Sequence, residues 1–390
     1  MAEGEVRLKP GLHRVLEGSP WVYRTEIEPT TARPGAVVRL LSARGRLLGE
    51  GFYNPQSMIA VRIMTFSDAE SVTPALVSRR IREAWALREE LAGGRDAYRL
   101  VHAEADGLPG LVIDRYGPVF VVEVTSLGMN AFLPTIVETL VEHGRPLAIY
   151  ERGDLPVRDR EGLPRVNRIL YGSVPATVEI HEHGVIMQVN LLAGQKTGHF
   201  LDQYANRGRV GELAAGRRVF DAFCHTGGFG LVAARHGAED VTAIDIDPEA
   251  ILQAEQNARI NRLDGRMRFV TANAFDWLRQ VSDQGPQFDL GILDPPAFTK
   301  SKDRVPEALR GYKEINLRGM KLIRPGGFLV TSSCSYHVSE TEFIRVVQQA
   351  GHDAKRRVRI LEIRGQGVDH PVLPALWESR YLKCLVLRID

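Results

Sequence analysis

Cysteine is scarce in this chain: only three occur among 390 residues, and no spacing pairs them. Such a count provides neither a disulfide framework nor a zinc site, and it suits a reducing compartment. No apolar run approaches the roughly 18 residues of a membrane-spanning helix, and the N-terminus lacks the apolar core of a signal peptide. We therefore predict a cytoplasmic protein without a bound metal and without a membrane partner.

Net charge is nearly absent as well, at a formal value of +2, so any site for a polyanion must come from a local patch. Internal repeats and low-complexity segments are missing too. What is present is 44% hydrophobic and 25% charged residues, the balance of a soluble globular protein. The length exceeds that of one ordinary core, so two or three domains are expected.

Short strands punctuated by glycine and proline fill residues 1–74, which predicts a small β-barrel-like domain. The pattern becomes helical at Thr73, a candidate N-cap that is followed by Pro74 in the first turn. Residues 75–184 combine this helix with further strands and predict an α+β middle domain. Within it, the polar and charged segment 151–168 is expected to be an exposed loop or hairpin.

Strands and helices alternate throughout residues 185–390. Such alternation predicts an α/β domain with a doubly wound, parallel sheet. Right-handed crossovers place the C-terminal ends of all its strands along one edge. Because the most conspicuous motifs follow these strand ends, we expect the functional site at that edge.

A glycine-rich turn, DAFCHTGGFG at 221–230, joins a strand to a helix, where glycines let a ligand approach the backbone. It lacks GxGxxG, so a strict dinucleotide fingerprint fails and a simple tight connection stays open. The next strand ends in Asp245, 24 residues after Asp221, where an acid accepts hydrogen bonds from ribose hydroxyls. Asp247 precedes Pro248 and is assigned to the helix cap instead.

Two further strand ends carry polar residues. Asn273 follows the third strand, and its amide is suited to an adenine edge, so that it completes an adenosine site with the glycine turn and Asp245. LDPP at 293–296 follows the fourth strand. Its two prolines make a rigid turn that would fix the Asp294 carboxylate beside a planar substrate, although an ordinary capped turn is the alternative.

Together these motifs resemble a known enzyme family. The α/β part is similar to class I S-adenosylmethionine-dependent methyltransferases, which have a Rossmann-like fold. Nearly the whole chain resembles the bacterial ribosomal RNA large-subunit cytosine-5 methyltransferases, with an N-terminal PUA-like RNA-binding domain, a middle domain and a methyltransferase domain. The stretches that carry the resemblance are GQKTGHFLDQ (194–203), DAFCHTGGFG (221–230), AIDID (243–247), LDPPAF (293–298), SSCS (332–335) and DHPVLPALWESRYLKCLVLRI (369–389).

The resemblance implies a set of site residues. The implied contacts to the cofactor, S-adenosylmethionine, are Phe200, Asp221, Phe223, Thr226, Gly227, Gly228, Asp245, Ile246, Asn273, Ala274 and Asp294. The implied contacts to the substrate are Lys196, Pro295, Pro296 and Phe298. Asp294 would also act in catalysis by holding the pyrimidine at its N3/N4 edge.

Cys334 follows the buried strand LVTSS at the edge where α/β enzymes keep reactive groups. Cytosine C5 is a poor nucleophile, but a thiolate that adds to C6 pushes electron density onto C5. Cys334 is therefore the candidate nucleophile, with inert packing as the alternative. Cys224 should line the cofactor, and Cys384 lies in an apolar strand that should belong to the core.

The predicted function is formation of 5-methylcytosine in 23S ribosomal RNA through a Cys334 adduct at C6, on a loop or unstacked nucleotide. The stretch 299–324 has eight Lys/Arg against three Asp/Glu, which suits phosphate contacts or a solvated helix face. A guanine methyltransferase on the same scaffold and a non-catalytic RNA-binding protein remain alternatives. The modified nucleotide and the oligomeric state, including a homodimer, stay open.

Overall fold

The computed structural model of the protein describes residues 2–192 and 197–390. They form two compact units. The first unit consists of Met1–Val178, Val189–Leu201 and Val368–Ser379, and the second of Glu179–Gln188, Asp202–Gly367 and Arg380–Asp390. These units do not follow the three predicted domains segment by segment, so the boundaries at 74/75 and 184/185 stay predictions.

The first unit begins with a five-stranded sheet in the order β1-β3-β4-β5-β2. Its strands are β1 (Gly4–Arg7), β2 (Trp21–Tyr23), β3 (Val37–Leu41), β4 (Leu47–Tyr53) and β5 (Ile59–Thr65). The predicted hairpin is the antiparallel pair β3–β4, and its turn contains Gly45 at φ 82°, a conformation that glycine adopts without strain. Valine and isoleucine side chains on one face of this sheet form a small core of their own.

A second five-stranded sheet follows, in the order β10-β9-β8-β7-β6. Its strands are β6 (Ala97–His102), β7 (Leu111–Tyr116), β8 (Val119–Val124), β9 (Ala148–Gly153) and β10 (Val166–Gly172). The helices are α1 (Pro74–Leu91), α2 (Leu127–Asn130), α3 (Leu133–Gly144) and α4 (Val157–Glu161). Thr73 is the predicted N-cap, since its side chain accepts a hydrogen bond from the Leu76 amide at 3.2 Å. Phe52 and Met64 of the first sheet enter the core of the second, so the two sheets are not independent.

The prediction of an exposed loop or hairpin at 151–168 was wrong in one respect. The segment contains the end of β9, all of α4 and the start of β10, and its Arg158 is buried. The Arg158 guanidinium donates to Glu151 Oε1 at 3.0 Å and to the Val124 carbonyl at 2.8 Å. Charged residues are buried here because each finds a partner, which the polar composition could not reveal.

The second unit contains a seven-stranded sheet in the order β15-β14-β13-β16-β17-β19-β18. Its strands are β13 (Arg218–Ala222), β14 (Asp240–Asp245), β15 (Met267–Thr271), β16 (Phe288–Leu293), β17 (Ile323–Ser333), β18 (Val358–Arg364) and β19 (Lys383–Ile389). A separate two-stranded sheet pairs β11 (Val178–Glu182) with β12 (Val185–Val189). The first five strands of the large sheet are parallel, as predicted, whereas β19 runs antiparallel to β17.

Helices alternate with these strands along the chain. They are α5 (Tyr204–Ala214), α6 (Gly228–Arg235), α7 (Pro248–Ile260), α8 (Ala274–Ser282), α9 (Val305–Leu322) and α10 (Glu340–Asp353). The strand order reverses at β13, which lies between β14 and β16, and such a switch point opens a crevice at the carboxyl ends of the strands. Among the described helices, none combines the length and apolar composition that a membrane crossing requires.

Candidate active site at the strand ends

The glycine-rich turn after β13 is tightly wound. Phe223, His225 and Gly227 have φ values of 67°, 50° and 87°, so three residues of this short turn adopt the left-handed conformation. Non-glycine residues rarely adopt it, and such positions cluster at functional sites. The Cys224 amide donates to the Ile244 carbonyl at 3.0 Å, which fastens the turn to the end of β14.

Asp221 lies beneath this turn and is fully buried. Its Oδ2 accepts a hydrogen bond from the Gly230 amide at 2.8 Å, and its Oδ1 has no partner among the described residues. Burial raises the pKa of the Asp221 carboxyl to about 8. A Cβ at position 230 would stand 3.2 Å from the Asp221 carboxylate, so glycine allows this close approach. Asp221 thus anchors the start of α6, and its contact with a cofactor stays a prediction.

Asp245 closes β14 with a half-buried carboxylate. Its Oδ2 accepts from the His225 amide at 2.8 Å, and its Oδ1 accepts from the Asp247 amide at 3.0 Å. A carboxylate offers about four acceptor positions, so capacity remains for ribose hydroxyls. Asp247 is the N-cap of α7, as predicted, because its side chain accepts from the Glu249 amide at 2.9 Å.

Asn273 is exposed and caps α8, with its Oδ1 accepting from the Phe275 amide at 2.9 Å. The oxygen is committed to the helix, so only the amide N–H groups remain for the predicted adenine contact. The Phe275 ring lies 6.1 Å from the Phe223 ring and 5.5 Å from the Phe298 ring, measured between centroids. These three rings, contributed by three different strand ends, form an aromatic wall along the edge of the sheet.

Asp294 follows β16, and its Oδ1 accepts a hydrogen bond of 2.8 Å from the Gln203 amide. Gln203 is itself buried and held by Asn206, whose side-chain amide donates to Gln203 Oε1 at 2.6 Å. The Gln203 amide also reaches Ser332 Oγ, at 3.4 Å. The sequence reasoning missed Gln203 as a residue that orients Asp294, although it closes the quoted motif GQKTGHFLDQ and could have been singled out there.

Cys334 is half-buried immediately after β17. Its thiol donates a long hydrogen bond to the Pro295 carbonyl, with 3.8 Å between sulfur and oxygen. The next residue, Ser335, accepts from the Phe298 amide at 3.0 Å and is hydrogen bonded to the Tyr312 hydroxyl at 2.8 Å. The structure therefore brings the DPPAF and SSCS motifs together, as the strand order predicted.

The other two cysteines are poor candidates for a thiolate. Cys224 is buried in the glycine turn, and burial raises the pKa of its thiol well above the usual range. Cys384 is fully buried in β19, where burial raises the pKa of its thiol to about 12. The predicted core position of Cys384 is confirmed.

The remaining predicted residues fall into three groups. Thr226 is half-buried, Gly227, Gly228 and Ala274 are buried, and Ile246 is exposed, all along the same edge of the large sheet. Pro295 is buried, Pro296 exposed and Phe298 half-buried, all in the turn after β16. Phe200 belongs to the first compact unit, and Lys196 lies outside the described residues. Their assigned roles stay predictions.

The basic stretch 299–324 is partly neutralised. Four of its cations form ion pairs, namely Arg304 with Glu307, Lys313 with Asp353, Arg318 with Glu314 and Arg324 with Asp289. Within the described part of the chain, Lys300, Lys302, Arg310 and Lys321 form no ion pair and remain for phosphates. Four of the eight basic side chains of the stretch are therefore paired with neighbouring carboxylates.

This geometry suits S-adenosylmethionine, since one crevice adjoins a left-handed glycine turn, a strand-end acid and a buried carboxylate oxygen that has no partner among the described residues. The fold and the site define an S-adenosylmethionine-dependent methyltransferase. The family profile with that description matches residues 155–351, and a PUA-like domain profile matches residues 6–66. S-adenosylmethionine is therefore the cofactor, as predicted.

Within this class, the chain belongs to the ribosomal RNA large subunit methyltransferase I family. It is 41% identical over 392 residues to the family member of Shewanella frigidimarina, which covers 98% of this chain and 99% of that protein. It is also 41% identical over 390 residues to the member of Pseudoalteromonas atlantica, with the same coverage of both chains.

Two solved structures share the fold over almost the whole chain. SMU.776, described as a methyltransferase and solved in complex with S-adenosylhomocysteine (SAH), has a TM-score of 0.83 at 22% identity and covers 96% of this chain and 97% of its own. A protein from Streptococcus mutans described as an S-adenosylmethionine-dependent methyltransferase has a TM-score of 0.84 at 22% identity, covering 98% and 99%. Both confirm the predicted fold class.

Proposed function

We propose that this protein methylates C5 of a cytosine in large-subunit ribosomal RNA, with Cys334 as the covalent nucleophile. The RNA substrate follows from the family to which the chain belongs. The choice of base rests on one observation: the half-buried Cys334 thiol adjoins the Pro295 carbonyl at the strand edge that carries Asp294 and the glycine turn. A guanine methyltransferase would need no thiol at that place.

The reaction begins when the Cys334 thiolate attacks C6 of the cytosine, forming a carbon–sulfur bond and moving an electron pair toward C5. When bound, S-adenosylmethionine would supply the electrophilic methyl group for C5, its methyl–sulfur bond breaking so that S-adenosylhomocysteine is left. A base removes the C5 proton, and the released electron pair restores the C5–C6 double bond and expels the thiolate. Cys334 thus forms the covalent adduct at the start of the cycle and is released as a thiolate at its end.

Asp294 holds the pyrimidine at its N3/N4 edge, because a carboxylate accepts hydrogen bonds from an exocyclic amino group. Gln203 donates to one oxygen of Asp294 at 2.8 Å and so limits how the carboxylate can turn. Phe298, half-buried after the two prolines, offers an aromatic surface to a base that has left its stack. The target is accordingly a loop nucleotide or a flipped one.

The direct test uses ribosomal RNA from cells that lack the gene, with mass spectrometry of its nucleosides after incubation with enzyme and cofactor. Cys334→Ala should abolish 5-methylcytosine formation and leave cofactor binding intact. Cys224→Ala and Cys384→Ala are matched controls that each lose one thiol, and both should retain turnover. RNA containing 5-fluorocytosine should form a stable adduct with the wild type, because fluorine blocks removal of the C5 substituent.

Two results would sink the cytosine proposal. One is full activity of Cys334→Ala, and the other is the absence of any adduct with a substrate RNA that the wild type demonstrably methylates. The appearance of methylguanine among the nucleosides would then identify a guanine methyltransferase, and no methylation of any base would indicate a binding protein.

A further inference from the structure

Lys383 is a second unusual residue at this edge of the sheet. It is the first residue of β19, which runs antiparallel to β17, and its backbone lies opposite Ser333. Because Cys334 directly follows Ser333, the backbone of Lys383 lies beside the end of β17 that precedes Cys334. The lysine is only 5% exposed, although lysine side chains are almost never fully buried without an acidic partner.

The hydrogen bonds of the Lys383 side chain explain how it is tolerated there. Its Nζ donates to the Ser335 carbonyl at 2.8 Å and to the Tyr381 carbonyl at 2.9 Å. Among the described residues, no carboxylate forms an ion pair with it. A neutral amine has two N–H groups and one lone pair, so two carbonyl bonds leave the lone pair for a further contact.

The charges around Lys383 also bear on its protonation. Burial lowers the pKa of its ammonium to about 8, while Cys334, Glu340 and Glu342 counteract this shift and Arg380 adds to it. Glu340 is engaged by the Arg380 guanidinium, and Glu342 caps α10 through the Ser339 amide and hydroxyl. After burial, Cys334 has the largest influence on the Lys383 pKa. The Ser335 carbonyl that accepts from Lys383 Nζ at 2.8 Å belongs to the residue directly after Cys334, so the amine lies next to the chain segment that carries the thiol.

We propose that Lys383 activates Cys334 by accepting the proton of its thiol and then holding the resulting thiolate as an ammonium ion. The S–H bond breaks with its electron pair left on sulfur, and the amine lone pair forms the new N–H bond, so a neutral pair becomes an ion pair. The catalytic meaning of this inference rests on the proposed role of Cys334 as nucleophile. The proton transfer itself needs no RNA. Lys383 acts through Cys334 and is therefore a positioning and activating residue.

The test is the pH profile of Cys334 alkylation by iodoacetamide in the full-length protein without RNA, followed by peptide mass spectrometry. Lys383→Met should move the profile to higher pH by about one unit and slow alkylation at neutral pH about tenfold, since an unaided thiol has a pKa of about 8.5. Lys383→Arg keeps a positive charge and should recover part of the difference. Lys313→Met, which removes a lysine charge on α9, should leave the profile unchanged.

A second variant guards against a trivial folding effect. Lys383→Gln can donate its two amide N–H groups to the same two carbonyls but cannot accept a proton, and it should show the same shift as Lys383→Met with undiminished cofactor binding in calorimetry. If the profiles of Lys383→Gln and wild type coincide, the proposal is wrong. If the Lys383 variants leave the alkylation profile unshifted while the wild type forms a normal 5-fluorocytosine adduct, only the role of Lys383 is overturned. If the variants shift the profile but the wild type forms no adduct, only the role of Cys334 as nucleophile is overturned.

Discussion

Buried ionisable residues occur in both compact units, but they are accommodated in different ways. In the first unit they are matched with opposite charges: Arg158 with Glu151, Arg99 with Asp114, and Arg88 with Asp106. At the strand ends of the second unit, Asp221 and Lys383 have no ion-pair partner among the described residues. Instead, the pKa of the carboxyl is raised and that of the amine lowered, each to about 8.

The difference separates structural charges from chemical ones. A matched pair keeps both groups ionised and fixes neighbouring elements, whereas an unmatched buried group tends toward its neutral form and can exchange a proton near neutral pH. The second unit also contains a buried ion pair of this matched kind, between Arg207 and Glu182. The unmatched groups therefore belong to the site and not to the unit as a whole.

The largest expected loss of stability comes from breaking a matched pair in the first unit. Among the described residues, Arg158→Met leaves the fully buried Glu151 with the half-exposed Arg168 as its one ion-pair partner, and it removes the donor to the Val124 carbonyl. Loss of one partner of a buried pair costs about 3–5 kcal/mol of unfolding free energy. Hydrogen exchange of the β9 peptides should accelerate accordingly.

Two comparisons control the Arg158 prediction. The double variant Glu151→Leu with Arg158→Met should recover much of the lost protection, because no lone charge stays buried. Arg165→Met breaks the exposed pair with Asp159 and should leave exchange almost unchanged. Equal effects of Arg158→Met and Arg165→Met would contradict the view that these buried pairs are structural.

A smaller effect is expected at the cofactor site. Asp245→Ala removes a half-buried acceptor at the end of β14, and loss of a charge-assisted hydrogen bond costs about 1.5–3 kcal/mol, or tenfold and more in affinity. Calorimetry with S-adenosylmethionine measures it. Asp247→Asn is the matched control, since asparagine caps a helix as well as aspartate and should leave affinity unchanged. Unchanged binding by Asp245→Ala would rule out the ribose assignment.

The third prediction concerns the unmatched carboxyl of Asp221. Its pKa is raised to about 8 in the folded protein and is about 3.9 in an unfolded chain, so its stabilising effect is complete below pH 4 and is lost as pH rises toward 8. Asp221→Asn can still accept from the Gly230 amide and does not titrate. Relative to wild type, it should therefore gain about 1.4 kcal/mol per pH unit across this window, and nothing further above it.

Urea unfolding of both proteins at several pH values measures that gain. If the difference in unfolding free energy between Asp221→Asn and wild type stays constant between pH 4 and pH 8, Asp221 is ionised in the folded protein. Lys383 would then be the one remaining example of an unmatched buried group in the contrast between the two units.

Much of the site could be predicted from strand ends. Asp245, Asp294 and Cys334 each follow a β-strand in a β/α alternation, and parallel strands must end at a common edge. Asp247 as a cap likewise followed from a local rule, because a helix N-terminus has unsatisfied amides that a nearby side chain can accept. In such cases the residue and its neighbours along the chain contain the necessary information.

Local sequence rules could not predict which charged residues are buried. Arg158 lies in a segment whose composition is that of an exposed loop, and only its contacts with Glu151 and Val124 make a buried position favourable. Gln203 was overlooked for a similar reason, since its partner Asp294 is 91 residues away along the chain. Composition describes a segment, whereas pairing depends on a second segment that the chain must first bring close.

By itself, the sequence determined the alternation of strands and helices in residues 185–390, the cofactor class and the thiol at the end of β17, because each depends on residues close together in the chain. The tertiary structure alone decided that Lys383 lies at the strand end that Cys334 follows. Since β19 runs antiparallel to β17, its first residue, and not its last, reaches the functional edge. The reversal buries an amine that donates to the Ser335 and Tyr381 carbonyls, a position that no local pattern around YLKCLVLRI specifies.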